Sequence, residues 1–260
     1  MRAILTGTFC LLFAIPANAK VVTQNIDYNV DGVSMKGYLA FDDRIHGQRP
    51  GVLVVHEWWG HNDYARKRVR MLAELGYTAF ALDMYGGGKI ADHPKDAARF
   101  SGALKKNLPL AKARFLAALN QLKSHKTTDK RRLAAIGYCF GGGIVLEMVR
   151  QGVDLKGVAS FHGSLATSQP AKVDQVKARI LVLNGAADPF VKQQHIAGFE
   201  KEMRNAKIDY QLISYPGAKH AFTNPAADSL GKKFGIPLAY HQEADTKSWQ
   251  AMQEFFLRIF

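Results

Sequence analysis

The sequence predicts an α/β fold in which a mostly parallel central sheet is covered by helices on both faces. Short aliphatic runs bounded by turn residues alternate with longer segments of helical spacing along most of the chain. Continuous apolar runs are typical of strands that are buried on both faces. Polar residues recur directly after these runs, and functional groups of parallel sheets collect at the carboxyl ends of the strands.

The first 19 residues have the pattern of a secretory signal peptide. Arg2 supplies a positive charge, Ala3–Ile15 is apolar, and an Ala-x-Ala cleavage pattern ends at Ala19. The alternative is a buried N-terminal strand or helix. Because the apolar run is too short to span a bilayer stably, we expect no stable membrane anchor. We therefore expect an exported protein, periplasmic or secreted, with a single domain over residues 20–260.

The segments after the predicted cleavage site begin with a hairpin. The β-rich segments Gln24–Val30 and Ser34–Phe41 flank Asp31-Gly32, and Asp-Gly is typical of two-residue hairpin turns. Pro50–His56 is a continuous aliphatic run, which predicts a strand buried on both faces. Asp63–Leu75 has helical spacing and is followed by a glycine, which is a common helix stop.

Strands and helices alternate through the rest of the chain. Further buried strands are predicted at Tyr77–Leu82, Leu133–Tyr138, Gly157–Phe161, Ile180–Asn184 and Tyr210–Tyr215. Further helices are predicted at Pro94–Lys105, Pro109–Lys123, Gly141–Arg150, Val191–Ala206 and Ala239–Ile259. This alternation predicts the two helical layers of a parallel α/β sheet.

The composition is that of a globular protein with a basic surface. Hydrophobic residues make up 47% of the chain and charged residues 22%, which is typical of soluble domains. The formal net charge is +13, but the cationic residues form only short clusters, such as residues 66–68 and 130–132. No nucleic-acid-binding motif accompanies these clusters, so we expect no nucleic-acid partner.

The cysteine count singles out one residue. The chain has 2 cysteines, Cys10 within the predicted signal peptide and Cys139. Export would leave Cys139 without an intramolecular disulfide partner. Such a cysteine is an intermolecular disulfide partner, a reactive thiol or a buried inert thiol.

The residues around Cys139 favour the reactive thiol. Gly137-Tyr138-Cys139-Phe140-Gly141 has the form G-x-C-x-G between a predicted strand and a predicted helix, which is a nucleophile-elbow pattern with cysteine in the serine position. The positive end of the following helix favours a thiolate. The alternative is a glycine-rich turn that holds a small buried cysteine.

Two further residues follow in the order expected of a catalytic triad. Asp188 comes just after the predicted strand Ile180–Asn184, and His220 comes just after Tyr210–Tyr215. Both would therefore lie at the same edge of the sheet as Cys139. We expect His220 to act as the base that takes the thiol proton, and Asp188 to orient it.

The segment after the first buried strand completes the predicted catalytic set. The backbone N–H groups of Trp58 and Phe140 are expected to form an oxyanion hole. Glu57 follows the same strand and is expected to point at the turn that carries Cys139, which favours contact with the thiol. The alternative is that Glu57 is a simple surface carboxylate. The aromatic residues Trp58, Trp59, Tyr85, Phe140 and Phe222 are expected to line a substrate pocket or, equally, to belong to the core.

Five segments together resemble the dienelactone hydrolase (carboxymethylenebutenolidase) family of the α/β-hydrolase superfamily. They are Val55-His56-Glu57-Trp58-Trp59-Gly60, Ala81-Leu82-Asp83-Met84-Tyr85-Gly86, Gly137-Tyr138-Cys139-Phe140-Gly141-Gly142, Asn184-Gly185-Ala186-Ala187-Asp188 and His220-Ala221-Phe222. The resemblance implies an α/β-hydrolase fold, cleavage of a small ester or lactone by a Cys139-His220-Asp188 triad, and no metal or cofactor. It also implies that Glu57 accepts a hydrogen bond from the resting thiol.

The chain departs from the family where the substrate carboxylate is held. The family's two arginines are absent: residues 85–89 hold Lys89 in place of the first, and Thr223-Asn224 stands in place of the second. Lys89 could supply one positive group, but as a point charge and not a bidentate fork. The resemblance therefore predicts a small ester or lactone substrate without requiring dienelactone itself.

Other functions are compatible with parts of the sequence. A non-catalytic binding protein on a hydrolase scaffold would not need all three triad residues, and an acyltransferase or a peptidase could use the same triad. A thiol redox protein would need a second cysteine, and no Cys-x-x-Cys pair is present. We expect a monomer or weak oligomer.

Overall fold

The computed structural model describes residues 20–260, and the predicted signal peptide lies outside this range. The strands are β1 (Val21–Val30), β2 (Val33–Asp42), β3 (Arg49–Val55), β4 (Thr78–Leu82), β5 (Thr128–Tyr138), β6 (Gly157–Phe161), β7 (Arg179–Gly185) and β8 (Tyr210–Tyr215). The helices are α1 (Asp63–Glu74), α2 (Pro94–Lys106), α3 (Leu108–Ser124), α4 (Phe140–Arg150), α5 (Gln193–Asn205), α6 (Ala227–Phe234) and α7 (Gln242–Ile259).

The eight strands form one sheet in the order β1-β2-β4-β3-β5-β6-β7-β8. The β1–β2 and β2–β4 pairings are antiparallel, and the remaining pairings are parallel. The register aligns the carboxyl ends of the central strands, because Val55 pairs with Gly137 and Tyr138 pairs with Phe161. The loops that leave these strands therefore begin side by side at one edge of the sheet.

Each face of the sheet is covered by a separate group of helices. In β3, Leu53 and Val55 pack into the apolar cluster that includes residues of α2 to α5. Val52 and Val54 face the opposite way, into the cluster that includes residues of α1 and α7. This alternation follows from the twofold repeat of a strand. The predicted mostly parallel sheet with helices on both faces is confirmed.

The structure differs from the sequence prediction at several elements, among them the following. Strand β5 begins at Thr128, ahead of the predicted Leu133, because the polar residues at its start pair with Arg49 and Pro50 across an irregularity in the ladder. Helix α7 begins later than predicted, where the His241 side chain accepts a hydrogen bond from the N–H of Ala244. Helix α6 was not predicted.

The eight residues of α6 explain why the sequence pattern missed it. The helix spans about two turns, which is too short to establish a helical repeat. Its N-cap is Ala226, which makes no side-chain capping hydrogen bond. It ends at Gly235, which has a φ of 63° and supplies the left-handed conformation of a common helix stop.

Within residues 20–260, no helix combines the length and the apolar character that a membrane span requires.

Candidate active site

The turn that carries Cys139 is strained and leaves no space for larger residues. Cys139 has a φ of 53° and a ψ of −113°, which few residues other than glycine adopt. A Cβ atom at position 137 would lie 2.1 Å from the carbonyl oxygen of Gly141. A Cβ atom at position 141 would lie 2.3 Å from the carbonyl oxygen of Val55. Both flanking glycines are thus required by close backbone contacts, which hold Cys139 at the junction of β5 and α4.

His220 lies within hydrogen-bond distance of both Cys139 and Asp188. The Nε2 atom of His220 is 3.1 Å from Sγ of Cys139, and its Nδ1 atom is 2.8 Å from Oδ2 of Asp188. The other oxygen of Asp188 accepts a 2.8 Å hydrogen bond from the N–H of Phe190, which fixes the carboxylate. Because Nδ1 faces a carboxylate, we assign the proton of the neutral ring to Nδ1. Nε2 then has no proton and faces the thiol as an acceptor.

The surroundings of His220 favour its charged form. Burial alone would lower the pKa of His220, but negative charge on Cys139 and hydrogen bonds to Asp188 and Cys139 raise it above its ordinary value of 6.5. The ring of Phe190 packs edge-on against the imidazole, with the ring centroids 5.0 Å apart. An imidazolium next to sulfur is the state that follows transfer of a thiol proton to a histidine.

Glu57 is buried near these residues but has a different partner from the expected one. Its side chain accepts a 2.7 Å hydrogen bond from Nδ2 of Asn224, whereas the thiol of Cys139 contacts His220. The hydrogen bond from the thiol to Glu57 that the family resemblance implied is therefore not formed in this conformation. Sequence reasoning noted Asn224 only as a replacement for the family's second arginine and missed its bond to Glu57, which crosses 167 positions of the chain.

Burial gives the Glu57 carboxyl an unusual affinity for a proton. Loss of hydration raises the pKa of Glu57 to about 7, although the hydrogen bond from Asn224 and the positive charges of His220 and Arg68 act in the opposite direction. A neutral amide such as Asn224 offsets only part of the cost of burying a carboxylate. Glu57 can therefore exchange a proton near neutral pH.

The two residues predicted to supply the oxyanion donors line the same cavity as Cys139. Phe140 is the first residue of α4, and the first N–H groups of a helix have no partner within it. Trp58 follows β3 by three residues, and its carbonyl oxygen accepts a 2.9 Å hydrogen bond from the hydroxyl of Tyr85. The side chains of Trp58 and Phe140 both line the cavity that opens onto Cys139.

A cavity of about 290 Å³ opens onto Cys139 and His220. Its other lining residues are mostly apolar, with two serines and one lysine among them: Trp58, Ser101, Lys105, Phe140, Ser164, Phe190, Val191, Ile236 and Leu238. The segment that contains Ile236 and Leu238 follows α6 and pairs with His220, because Leu238 forms a strand-like bridge to it and the N–H of Ala239 donates to its carbonyl oxygen at 3.2 Å. This volume suits a small molecule.

Four residues predicted for the pocket are not part of its lining. Trp59 is 5% exposed and its ring packs against Phe234 in one apolar cluster. Phe222 is 0% exposed and its ring packs against Tyr215 in another. Tyr85 is buried beneath the cavity, where its ring contacts Phe140.

Lys89 lies in an exposed loop away from the cavity lining. The cationic side chain at the cavity is instead Lys105, near the end of α2. Position along the chain after β4 does not fix which lysine the fold brings to the cavity.

His162 is a further buried residue at the site that sequence reasoning missed. It follows the last residue of β6, so the rule that located Asp188 and His220 could have found it. Its Nδ1 atom accepts a 3.1 Å hydrogen bond from the N–H of Cys139, and its ring lies 5.2 Å from that of His220.

Within the part of the chain that the structure describes, no group of three or more histidine, cysteine or acidic residues is arranged to hold a metal ion.

Comparison with known proteins identifies the family. The family model described as "Dienelactone hydrolase family" matches residues 35–260. The chain belongs to the dienelactone hydrolase family. A solved structure named m3DLH is 36% identical, with a TM-score of 0.88, and the match covers 92% of this chain and 99% of that one.

Two other relatives agree with this family. A dienelactone hydrolase-like promiscuous phosphotriesterase, P91 from metagenomic libraries, is 34% identical with a TM-score of 0.87, over 92% of this chain and 99% of that one. Protein usf of Aquifex pyrophilus is 29% identical over 80% of this chain and 90% of its own length. As a member of the dienelactone hydrolase family, this chain is a hydrolase that acts on ester or lactone bonds.

Proposed function

We propose that the protein hydrolyses a small ester or lactone by a thiol mechanism with Cys139 as nucleophile. The observation that carries this proposal is the chain of contacts from Asp188 through His220 to Cys139, which ends in a 3.1 Å contact between nitrogen and sulfur. A nucleophile, a base and an orienting carboxylate in this order match the requirements of covalent acyl transfer.

The reaction begins with transfer of the thiol proton of Cys139 to Nε2 of His220. The thiolate attacks the carbonyl carbon of the substrate, and the negative oxygen of the tetrahedral intermediate accepts hydrogen bonds from the N–H groups of Trp58 and Phe140. The C–O bond then breaks, and His220 gives its proton to the leaving alkoxide. Asp188 stabilises the imidazolium during these steps.

The resulting thioester is hydrolysed in the second half of the cycle. His220, now neutral, removes a proton from water, and the hydroxide attacks the thioester carbonyl. Collapse of this second intermediate releases the carboxylic acid and the thiolate, which recovers its proton from His220. For a lactone, alcohol and acid leave as one molecule, since the alkoxide of the first step remains attached to the acyl group.

Glu57 is proposed to assist by contacting the thiol in another conformation of the elbow. Its carboxyl group is buried at the site, and it interacts electrostatically with the positive charge of His220. With a pKa of about 7, Glu57 can be present as either acid or carboxylate at neutral pH. We therefore propose that Glu57 takes part in activating the thiol in that other conformation, since the thiol contacts His220 in the one described here.

The decisive test is to detect the thioester. We expect hydrolysis of 4-nitrophenyl acetate and, after rapid acid quenching, an increase in intact mass equal to one acetyl group. Peptide mapping would place that group on Cys139. The neutral phosphotriester paraoxon is included in the substrate panel, because one relative is named as a promiscuous phosphotriesterase.

The alternatives make different predictions in this assay. A binding protein on a hydrolase scaffold would neither release nitrophenol nor acquire an acyl group. An acyltransferase would acquire it and pass it to an added alcohol or amine faster than to water, and a peptidase would favour amide substrates. An adduct on another residue would contradict the proposal.

We also propose that residues 1–19 direct export to the periplasm or the medium, which leaves a single domain at residues 20–260. The support is the arrangement of Arg2, the apolar run and the Ala-x-Ala pattern. We expect the full chain, expressed in a Gram-negative host, to be recovered in the periplasmic fraction or the medium with Lys20 as its first residue. Replacement of Ala19 by a bulky residue should block processing, and an unprocessed cytoplasmic product from the natural sequence would contradict export.

A further inference from the structure

His162 joins two parts of the site that are far apart in the sequence. It follows β6, is completely buried, and has a φ of 41°. A residue other than glycine in the left-handed region costs about 1–2 kcal/mol unless its surroundings impose it. The contacts of the His162 side chain show what those surroundings are.

Both ring nitrogens of His162 have a partner. Nδ1 accepts a 3.1 Å hydrogen bond from the N–H of Cys139, which also donates to the carbonyl oxygen of Phe161 at 3.0 Å. Because Nδ1 is an acceptor, the proton of a neutral ring is on Nε2, which donates to Oγ1 of Thr223 at 2.9 Å. Burial, together with the positive charges of His220 and Arg68, holds the pKa of His162 well below 6.5, in agreement with this neutral tautomer.

The contact with Thr223 reaches the loop that carries the base. Thr223 lies between His220 and Asn224, which donates to Glu57. Its Oγ1 atom is 2.6 Å from the hydroxyl of Tyr64 on α1, so the loop is anchored from a second side. One imidazole thus connects the backbone of the nucleophile to the segment that holds His220.

We propose that His162 is a positioning residue that holds Cys139 and the His220–Asn224 loop in register, so that sulfur and Nε2 remain in contact. This inference rests on the proposed thiol function and adds to it a residue outside the triad. The strained backbone of Cys139 requires such a restraint, because its φ of 53° is unfavourable for a cysteine. A displacement of about 1 Å between reacting groups can lower a rate by about 10²-fold.

The test compares two substitutions at position 162. In His162→Asn, the side-chain oxygen can replace Nδ1 as acceptor, and asparagine tolerates a positive φ better than most residues do. His162→Leu removes both hydrogen bonds. We expect His162→Leu to lower kcat by about 10- to 100-fold with KM changed less than about 3-fold, and His162→Asn to recover most of the loss.

A second measurement does not depend on the choice of ester. The rate of alkylation of Cys139 by iodoacetamide should fall in His162→Leu, because the base no longer faces the thiol, and should recover in His162→Asn. His125→Asn is the matched control, since His125 also has one ring nitrogen bonded to a hydroxyl, that of Thr127, just before β5. Thermal unfolding would confirm that each variant is folded at the assay temperature.

The outcomes separate this inference from the thiol mechanism. If folded His162→Leu retains the kcat and the alkylation rate of the natural protein, the positioning role is wrong and the mechanism stands. If the asparagine variant loses as much as the leucine variant, the hydrogen bond to the N–H of Cys139 is not the cause. Ester hydrolysis that persists without Cys139 would contradict the mechanism, and the alkylation rates would still decide the role of His162.

Discussion

Replacement of Cys139 by alanine is expected to lower kcat for ester hydrolysis by at least about 10⁴-fold, because no thioester can then form. Loss of a single nucleophile or base from a triad removes nearly all of the triad's contribution, which is about 10⁶-fold in a well-studied serine protease. The residual rate would come from the oxyanion hole and from binding. KM should change little, since the Cys139 side chain contributes only part of the cavity wall.

Two further variants make the loss of activity interpretable. His220→Ala should produce a loss similar to that of Cys139→Ala, and the double variant should be no worse than either single one, because the two residues act as a unit. Ser229→Ala is the control, since Ser229 lies exposed on α6 and bonds only within its own turn. Retention of more than about 1% of kcat in Cys139→Ala would contradict the proposed nucleophile.

Replacement of Glu57 by glutamine is expected to change how stability depends on pH. The pKa of Glu57 is about 7 in the folded protein, against an ordinary value of 4.5. Since the folded state binds this proton more tightly, the contribution of Glu57 to stability is fully present below pH 4.5 and is lost as the pH rises through 7. The full difference corresponds to about 3 kcal/mol in the free energy of unfolding.

Glutamine has no proton to lose in this range, so the variant should escape that decline. Relative to the natural protein, Glu57→Gln should gain up to about 3 kcal/mol between pH 4.5 and pH 8, which corresponds to about 6–12 °C in Tm for a chain of this size. The measurement is thermal unfolding at both pH values, with Glu254→Gln on the exposed face of α7 as control. Equal shifts in the two variants would show that Glu57 titrates as an ordinary carboxyl.

The sequence was sufficient to predict the sheet and the convergence of Cys139, Asp188 and His220 for identifiable physical reasons. Continuous aliphatic runs such as Leu133–Tyr138 are characteristic of buried strands, and the parallel sheet then places whatever follows them at one edge. Cys139, Asp188 and His220 each follow such a run, so their convergence did not require knowledge of side-chain packing.

The remainder of the site depends on packing that no local pattern records. The bond between Asn224 and Glu57 crosses 167 positions, and the bond between His162 and Thr223 crosses 61. Aromatic residues serve equally in cores and in pockets, so residue type did not reveal that Phe222 is buried in the core. The identity of the cavity lysine likewise depended on how α2 lies over the sheet.

The bridge between Leu238 and His220 bears on how the substrate selectivity of this enzyme can be changed by mutation. Ile236 and Leu238 line the cavity, and the same short segment pairs with His220, the proposed base. Under the proposed mechanism, we therefore expect substitutions in this segment to change substrate selectivity and turnover together. Ser101 and Lys105, which also line the cavity, lie on α2 and have no such bridge to His220, so we expect substitutions there to alter selectivity with less effect on turnover.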